Sequence, residues 1–287
     1  MIHASQANTE QHRFHTVVIF GDSLSDTDNV FNLTNGTWPI SPTYYQGRFS
    51  DDLNWVDRLR VSNVKNYAYG GATTDNVVVQ GYTKLDTVPV PGIRQQIEIY
   101  INSTREQTID FAHTLYIVSG GGNDFVFSKI PNPFAVVNGL ANAVDDLVDF
   151  GAKHILVFNQ SPAQAFPYIH ALGIDFIFKQ LTFLFNSTLS LRLKIIQKSN
   201  PEVSLKVFNL YSIIKKIIDN ESEQFTNTVD PCWDTVNGTS VVMHCSDPSK
   251  YVFIDKFHFT SSVHKIIADS VNDFILKEQF SFLYPSI

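Results

Sequence analysis

No segment of this sequence is apolar for long enough to cross a membrane. A span needs about 18 consecutive apolar residues, and the longest candidate, Leu172 to Leu191, is interrupted by Asp175, Lys179, Gln180 and Asn186. Basic blocks are missing as well. Charged residues make up 17% of the chain and the net charge is −7, so nothing is available to displace phosphate counterions, and nucleic acid is excluded as a partner. The densest basic stretches, Lys194 to Lys198 and Lys215-Lys216, fall in helical patterns and read as solvated faces. Met1 to His15 is polar and lacks the apolar core of a signal peptide. Cysteine is scarce: Cys232 and Cys245 alone cannot build a structural zinc site. The segment between them is rich in Asp, Asn, Gly and Ser. The pair therefore reads as a disulfide closing a short polar loop in an oxidising compartment, with two separate buried thiols as the alternative.

What is present is core-forming material and acceptor sites for glycan. Hydrophobic residues make up 44% of the chain and phenylalanine occurs 23 times, enough for a sizeable core. Asn-x-Ser/Thr sequons occur at Asn32, Asn35, Asn102, Asn159, Asn186, Asn220 and Asn237, against about two or three expected by chance. Asn159 ends a strand-like run, so it is set aside and the other six are glycosylation candidates. Together these features read as a secreted, extracellular protein without its signal peptide, with a tail over residues 1–15 and one domain over 16–287.

Short β-branched or aromatic runs at Thr16-Phe20, Val64-Tyr67, Thr114-Ser119, His154-Asn159 and Leu205-Asn209 predict five strands buried on both faces, as in a parallel sheet. Helical patterns alternate with them at Leu53-Leu59, Ile93-Ile101, Ala135-Phe150, Phe176-Gln197 and Tyr211-Ile218. A last helix follows Thr260, capped by Thr260 or Ser261. Alternation of this kind predicts a three-layer α/β/α sandwich. Thr34 to Asp51, with Trp38, Tyr44 and Tyr45, reads as a long ordered loop.

The first predicted strand runs straight into Gly21-Asp22-Ser23, which sets a serine on a turn at a strand's carboxyl end, where α/β proteins bind ligands. Serine needs a general base to act as a nucleophile, and histidine suits that task. The imidazole in turn needs an acceptor on its far nitrogen. Asp255 and His258, three residues apart just before the last helix, could provide both. Donors for an oxyanion are offered where strands two and three end, at Tyr69-Gly70-Gly71-Ala72 and at Gly120-Gly121-Gly122-Asn123. No Lys-Ser/Thr follows the three glycines, which argues against a nucleotide P-loop. The other histidines lack such context, and His264 reads as a surface residue.

Gly21-Asp22-Ser23-Leu24, Asn66-Tyr-Ala-x-Gly-Gly-Ala72, Gly121-Gly122-Asn123-Asp124 and Asp255-x-x-His258 stand in the order found in the GDSL esterase/lipase family, the SGNH hydrolases, which the chain resembles from about Val17 to the final helix. Gly47-Arg48-Phe49-Ser50 with Trp55 extends the likeness. The resemblance implies a flavodoxin-like fold with a five-stranded, mainly parallel sheet and no cofactor or metal. It implies Ser23 as nucleophile, His258 as base, Asp255 as its orienting acid, and the oxyanion donors Ser23 N–H, Gly71 N–H and the Asn123 amide. Gly70 stays open as the alternative to Gly71. Asp28 and Phe259 depart from residues common in the family.

Such a chain is expected to hydrolyse short acyl esters, acetyl groups on carbohydrates being the leading substrate, since it also resembles secreted fungal acetylesterase-like members of the family. A lipase or lysophospholipase is the alternative. It would use Phe166, Phe176, Phe178, Phe183 and Phe185 as an acyl groove, although most of these fall in a helical pattern that suits core packing. A non-catalytic carbohydrate-binding relative is the third reading.

Overall fold

The computed structural model describes residues 14–41, 43–128, 130–219, 224–236 and 240–283. Five strands form the main sheet: β1 (Thr16–Phe20), β2 (Asn63–Asn66), β3 (Thr114–Val118), β4 (His154–Phe158) and β5 (Ser204–Phe208). Their order is β2-β1-β3-β4-β5 and every pairing is parallel. The chain thus starts at β1, steps outward to β2, then crosses back to β3. The crevice at that reversal, beyond the carboxyl ends of β1 and β3, is where an open α/β sheet binds its ligand.

Alternate residues of each strand feed two cores, as a pleated strand requires. On one face Val18, Phe20, Tyr116, Val118, Ile155 and Val157 pack under α1 (Ile93–Ser103), α3 (Pro133–Phe150) and α4 (Asp175–Ser199). The opposite face places Val17, Ile19, Leu115, Ile117, Leu156 and Phe158 against α5 (Leu210–Asp219) and α6 (Ser261–Leu283). A short helix, α2 (Gly122–Phe127), lies between β3 and α3. Phe14, at the end of the expected tail, is buried and packs its ring on His154; residues 1–13 lie outside the described residues.

Two local expectations are corrected. Leu53-Leu59 forms turns, not a helix. Asn54 Oδ1 accepts the Val56 and Asp57 N–H groups while Asp57 Oδ2 accepts that of Asn54, and such side-chain acceptors compete with the helical ladder. At the start of α6 the cap comes from elsewhere. Thr260 gives its hydroxyl to the Tyr251 carbonyl, and Asp51 Oδ1 accepts the Ser261 N–H at 2.7 Å. Asp51 thereby ties the long loop to the helix that follows His258. Small two-stranded units, Gly81–Thr83 with Val88–Val90 and Trp233–Val236 with Ser240–Met243, decorate the site end of the sheet.

Candidate active site

β1 ends at Phe20, and the next six residues are pinned from several directions. Gln96, buried on α1, bonds both the N–H and the carbonyl of Gly21 at 2.9 Å. A side chain at Gly21 would press on the Ser119 carbonyl, 2.9 Å from its Cβ position. Asp22 then turns the chain: its carbonyl accepts the Ser25 and Asp26 N–H groups, and its Oδ1 accepts that of Leu24. Asn54, Trp55 and Asn66 hold the far side of the turn through Asp26 O, Ser25 Oγ and Ser25 O. Ser23 is fixed at the apex with its side chain facing the crevice.

Across the crevice, His258 brings Nε2 to 2.9 Å from Ser23 Oγ. Its Nδ1 lies 2.7 Å from Asp255 Oδ2, and Asp255 Oδ1 accepts the Phe257 and His258 N–H groups. The ring of Phe49 covers the imidazole at a centroid distance of 5.1 Å. Phe49 belongs to the Gly47-Arg48-Phe49-Ser50 block, whose Arg48 forms a two-point ion pair with Asp57. A linear chain of hydrogen bonds therefore runs serine, imidazole, carboxylate.

Sequence reasoning missed a fourth link. Tyr44, buried on the long loop, donates its hydroxyl to Asp255 Oδ2. It had been grouped with Trp38 and Tyr45 as loop aromatics, but its ring packs edge-on against Trp233, 5.5 Å away. That tryptophan follows Cys232, and Cys232 and Cys245 are joined as a disulfide with their Cα atoms 5.0 Å apart. Burial drives the Asp255 carboxyl up, but His258, Tyr44 and the Phe257 N–H together outweigh it and hold Asp255 below the ordinary carboxylate value. No local sequence signal marks Tyr44.

The two adjacent glycines differ in hydrogen bonding. Gly70 gives its N–H to Asp26 Oδ2 at 2.8 Å, so that donor is already committed. Gly71 has φ +89° and lines the cavity in front of Ser23. Only glycine fits there, because a Cβ would sit 1.9 Å from the Tyr82 carbonyl. Asn123, on the first turn of α2, also lines the cavity and donates one Nδ2 hydrogen to the Ala72 carbonyl at 2.9 Å. An amide nitrogen carries two hydrogens, so a second is available toward the crevice.

Three buried aspartates support these segments. Asp26 collects the N–H groups of Asp28, Asn29, Val30 and Gly70. Asp124 accepts the Thr74 N–H and hydroxyl. Burial pushes Asp22 up to about 6, and Asp26 and Asp124 up to about 7. The folded state keeps their protons more tightly than the unfolded chain does, so these groups weigh increasingly against stability as pH rises from 3.8 toward 7.

The remaining candidates divide. Asn32, Asn35 and Asn102 are exposed, whereas the Asn186 amide is occupied on both sides by the backbone of Gln160. Asn159 is likewise engaged, by Asn209 and the Tyr211 N–H. Asn220 and Asn237 lie outside the described residues. His264 is a correction: it is 1% exposed, and burial pushes it down to about 3, keeping it neutral. Among the described residues one group could hold a metal, His15, Asp110 and His113. It precedes β1 and β3, at the opposite end of the sheet from Ser23.

The family model for GDSL-like lipase/acylhydrolase matches residues 17–271. The chain belongs to that family. Among curated relatives of this GDSL chain, the thermolabile hemolysin of Vibrio parahaemolyticus serotype O3:K6 is 24% identical over 285 residues, covering 94% of this chain and 66% of that protein. Phosphatidylcholine-sterol acyltransferase of Aeromonas hydrophila is 29% identical over 161 residues, covering 54% and 47%. Acetylajmalan esterase 2 of Rauvolfia serpentina is 24% identical over 92% of this chain and 91% of its own length. The chain thus spans about two thirds and about half of the first two. Est24, a carbohydrate acetylesterase from Sinorhizobium meliloti, shares the fold at a TM-score of 0.50 and 13% identity, over 92% of this chain and 99% of its own.

Among the described residues, no helix is long and apolar enough to cross a membrane. The site instead opens into a cavity of about 420 Å³. Its wall is largely apolar, with Leu24, Phe49, Phe127, Phe166, Ile169 and Phe178, and the charged Lys84 and Asp86 line it as well.

Proposed function

We propose that this GDSL chain hydrolyses carboxylic esters with hydrocarbon acyl chains, through an acyl-enzyme on Ser23. The supporting observation is the Ser23–His258–Asp255 hydrogen-bond chain opening on a mainly apolar cavity. His258 Nε2 takes the Ser23 proton as Oγ bonds to the ester carbonyl carbon. The carbonyl oxygen becomes an oxyanion facing the N–H groups of Ser23 and Gly71 and the Asn123 amide. When the C–O bond to the alcohol breaks, His258 returns the proton to the leaving oxygen. Water then attacks the acyl-enzyme, giving its proton to His258, and the acid leaves as Ser23 is reprotonated. Every proton moves between the substrate, water and groups of this chain.

Acyl length follows from the wall of the cavity. An acetyl group would leave most of this 420 Å³ cavity, with its largely apolar wall, unfilled. Each further methylene buried contributes about 0.8 kcal/mol, roughly fourfold in kcat/KM. With p-nitrophenyl esters from acetate to palmitate, kcat/KM is expected to climb from acetate to at least octanoate before levelling. A maximum at acetate would sink this reading. The second reading, acetyl esters on carbohydrate, would then gain. It is supported by Trp38 and Tyr82 in the cavity wall, whose rings can stack on a sugar. The relatives support either substrate class: one carries phosphatidylcholine, a long-chain ester, in its name, and another is an acetylajmalan esterase.

Tyr44 acts here as a positioning residue for Asp255. Tyr44→Phe keeps the ring against Trp233 and removes only the hydroxyl. Asp255 then holds the imidazolium more strongly, so the acid limb of the kcat/KM profile should move to higher pH. kcat should fall about tenfold, the scale of one hydrogen bond to a charged group. An unchanged pH profile and kcat would reduce Tyr44 to a packing residue. Secretion is supported by the disulfide and by the exposed sequon residues Asn32, Asn35 and Asn102.

A further inference from the structure

Helix α4 is apolar on two faces, and the described residues cover only one. Phe185, Leu189, Leu193 and Ile196 are buried under the sheet-facing side. Phe176 and Phe183, expected from their helical spacing to pack in the core, are 74% and 69% exposed. Ile177, Leu184 and Leu191 stand out beside them. Residues seven apart lie on the same side of a helix, so Phe176 and Phe183 form one ridge.

The opposite side of the same helix turns toward the cavity. Phe178, on the same helical turn as Phe176, lines the cavity and sets its ring 6.5 Å from that of Phe125 on α2. Leu85, Val126 and Phe257 line the cavity too, and each remains exposed at its rim. Ridge and cavity mouth therefore flank the same turn of α4.

The charges on the same helix indicate what the ridge meets. After Asp175, which is bonded to His170, the helix carries Lys179, Arg192, Lys194 and Lys198 and no further acidic residue, within a chain of net charge −7. Lys179, Lys194 and Lys198 are exposed. A second copy of the chain is a poor match, because a two-fold contact sets a patch against itself and would oppose cations to cations. Exposed aromatic and aliphatic side chains interleaved with lysine suit a helix lying in a lipid headgroup layer, with its apolar ridge sunk to the acyl boundary.

We propose that α4 docks this enzyme on lipid aggregates bearing anionic phosphate headgroups, which holds the neighbouring cavity mouth close to the aggregate surface. The proposal rests on the acyl-ester reading above, and the test separates the two. Wild type and the Phe176→Glu/Phe183→Glu double variant are sedimented with vesicles of phosphatidylcholine and phosphatidylglycerol, and assayed on those vesicles and on dispersed p-nitrophenyl butyrate. Both positions are exposed and neither belongs to the catalytic chain.

Wild type should sediment, less so at high salt. The double variant should stay in solution and hydrolyse vesicle lipid at least about tenfold more slowly. Both proteins should cleave butyrate at the same rate. Equal sedimentation of both proteins, or of neither, overturns the docking surface. So does a wild-type dimer in light scattering that the double variant converts to monomer. If neither protein cleaves any ester yet wild type alone sediments, the docking surface stands and the acyl-hydrolase reading fails.

Discussion

Ser23→Ala should lower kcat/KM for p-nitrophenyl butyrate by about 10⁴- to 10⁶-fold while leaving the melting temperature close to that of wild type. The size follows from the nature of the step. Without Oγ no acyl-enzyme forms, and what remains is attack by water on an ester still bound near the oxyanion donors. The melting temperature is spared because the turn around Ser23 is held by backbone and neighbouring groups: Gln96 on Gly21, Asp22 on Leu24, and Asn54 on Asp26. None of these bonds uses the Ser23 hydroxyl. His258→Ala should cost a similar factor, and the double variant little more than either alone, since the two groups act as one unit across the 2.9 Å contact. Losses that simply multiplied would mean that Ser23 and His258 act independently. A Ser23→Ala protein working at the wild-type rate would remove the nucleophile assignment altogether.

The second large effect is expected at the oxyanion donors, and two substitutions there should behave differently. Asn123→Ala should reduce kcat by about 10²- to 10³-fold with little change in KM, as for loss of one preorganised donor. Its cost to stability should be small, because the amide is bonded only to the Ala72 carbonyl. Gly71→Ala should reduce kcat at least as far and should also lower the melting temperature. A methyl group there would have to displace the Tyr82 carbonyl from 1.9 Å, and a φ of +89° disfavours any residue with a Cβ. Circular dichroism melts beside steady-state kinetics distinguish these outcomes. If Asn123→Ala changed KM alone, the amide would be a binding group and not an oxyanion donor.

Legibility in the sequence followed the range of the interactions concerned. β1, β3 and β4 were readable because strands buried on both faces are nearly continuous apolar runs, whatever packs on them. Leu53-Leu59 was misread because Asn54 and Asp57 divert its backbone donors, a competition that apolar spacing does not register. His264 was misread for a different reason. One imidazole at helical spacing looks the same whether the helix turns it to water or, as here, against Phe259 under the sheet. In α4, where apolar residues occur nearly all round, periodicity could not say which face the fold would leave open.

By itself the sequence determined the chemistry available to this protein. A serine on a turn after a buried strand, Gly and Asn at two further strand ends, and Asp-x-x-His before a helix are each set by a few neighbouring residues, so their order along the chain was enough. Only the tertiary structure decided which groups complete the site and which surface surrounds it. Tyr44 reaches Asp255 across 211 positions. Asp26 takes up the Gly70 donor from 44 residues away, while Gly71 lines the cavity. The exposed ridge of α4 exists because three helices cover one face of the sheet and, among the described residues, none covers the far side of α4. Those facts depend on which distant segments meet, and packing alone settles that.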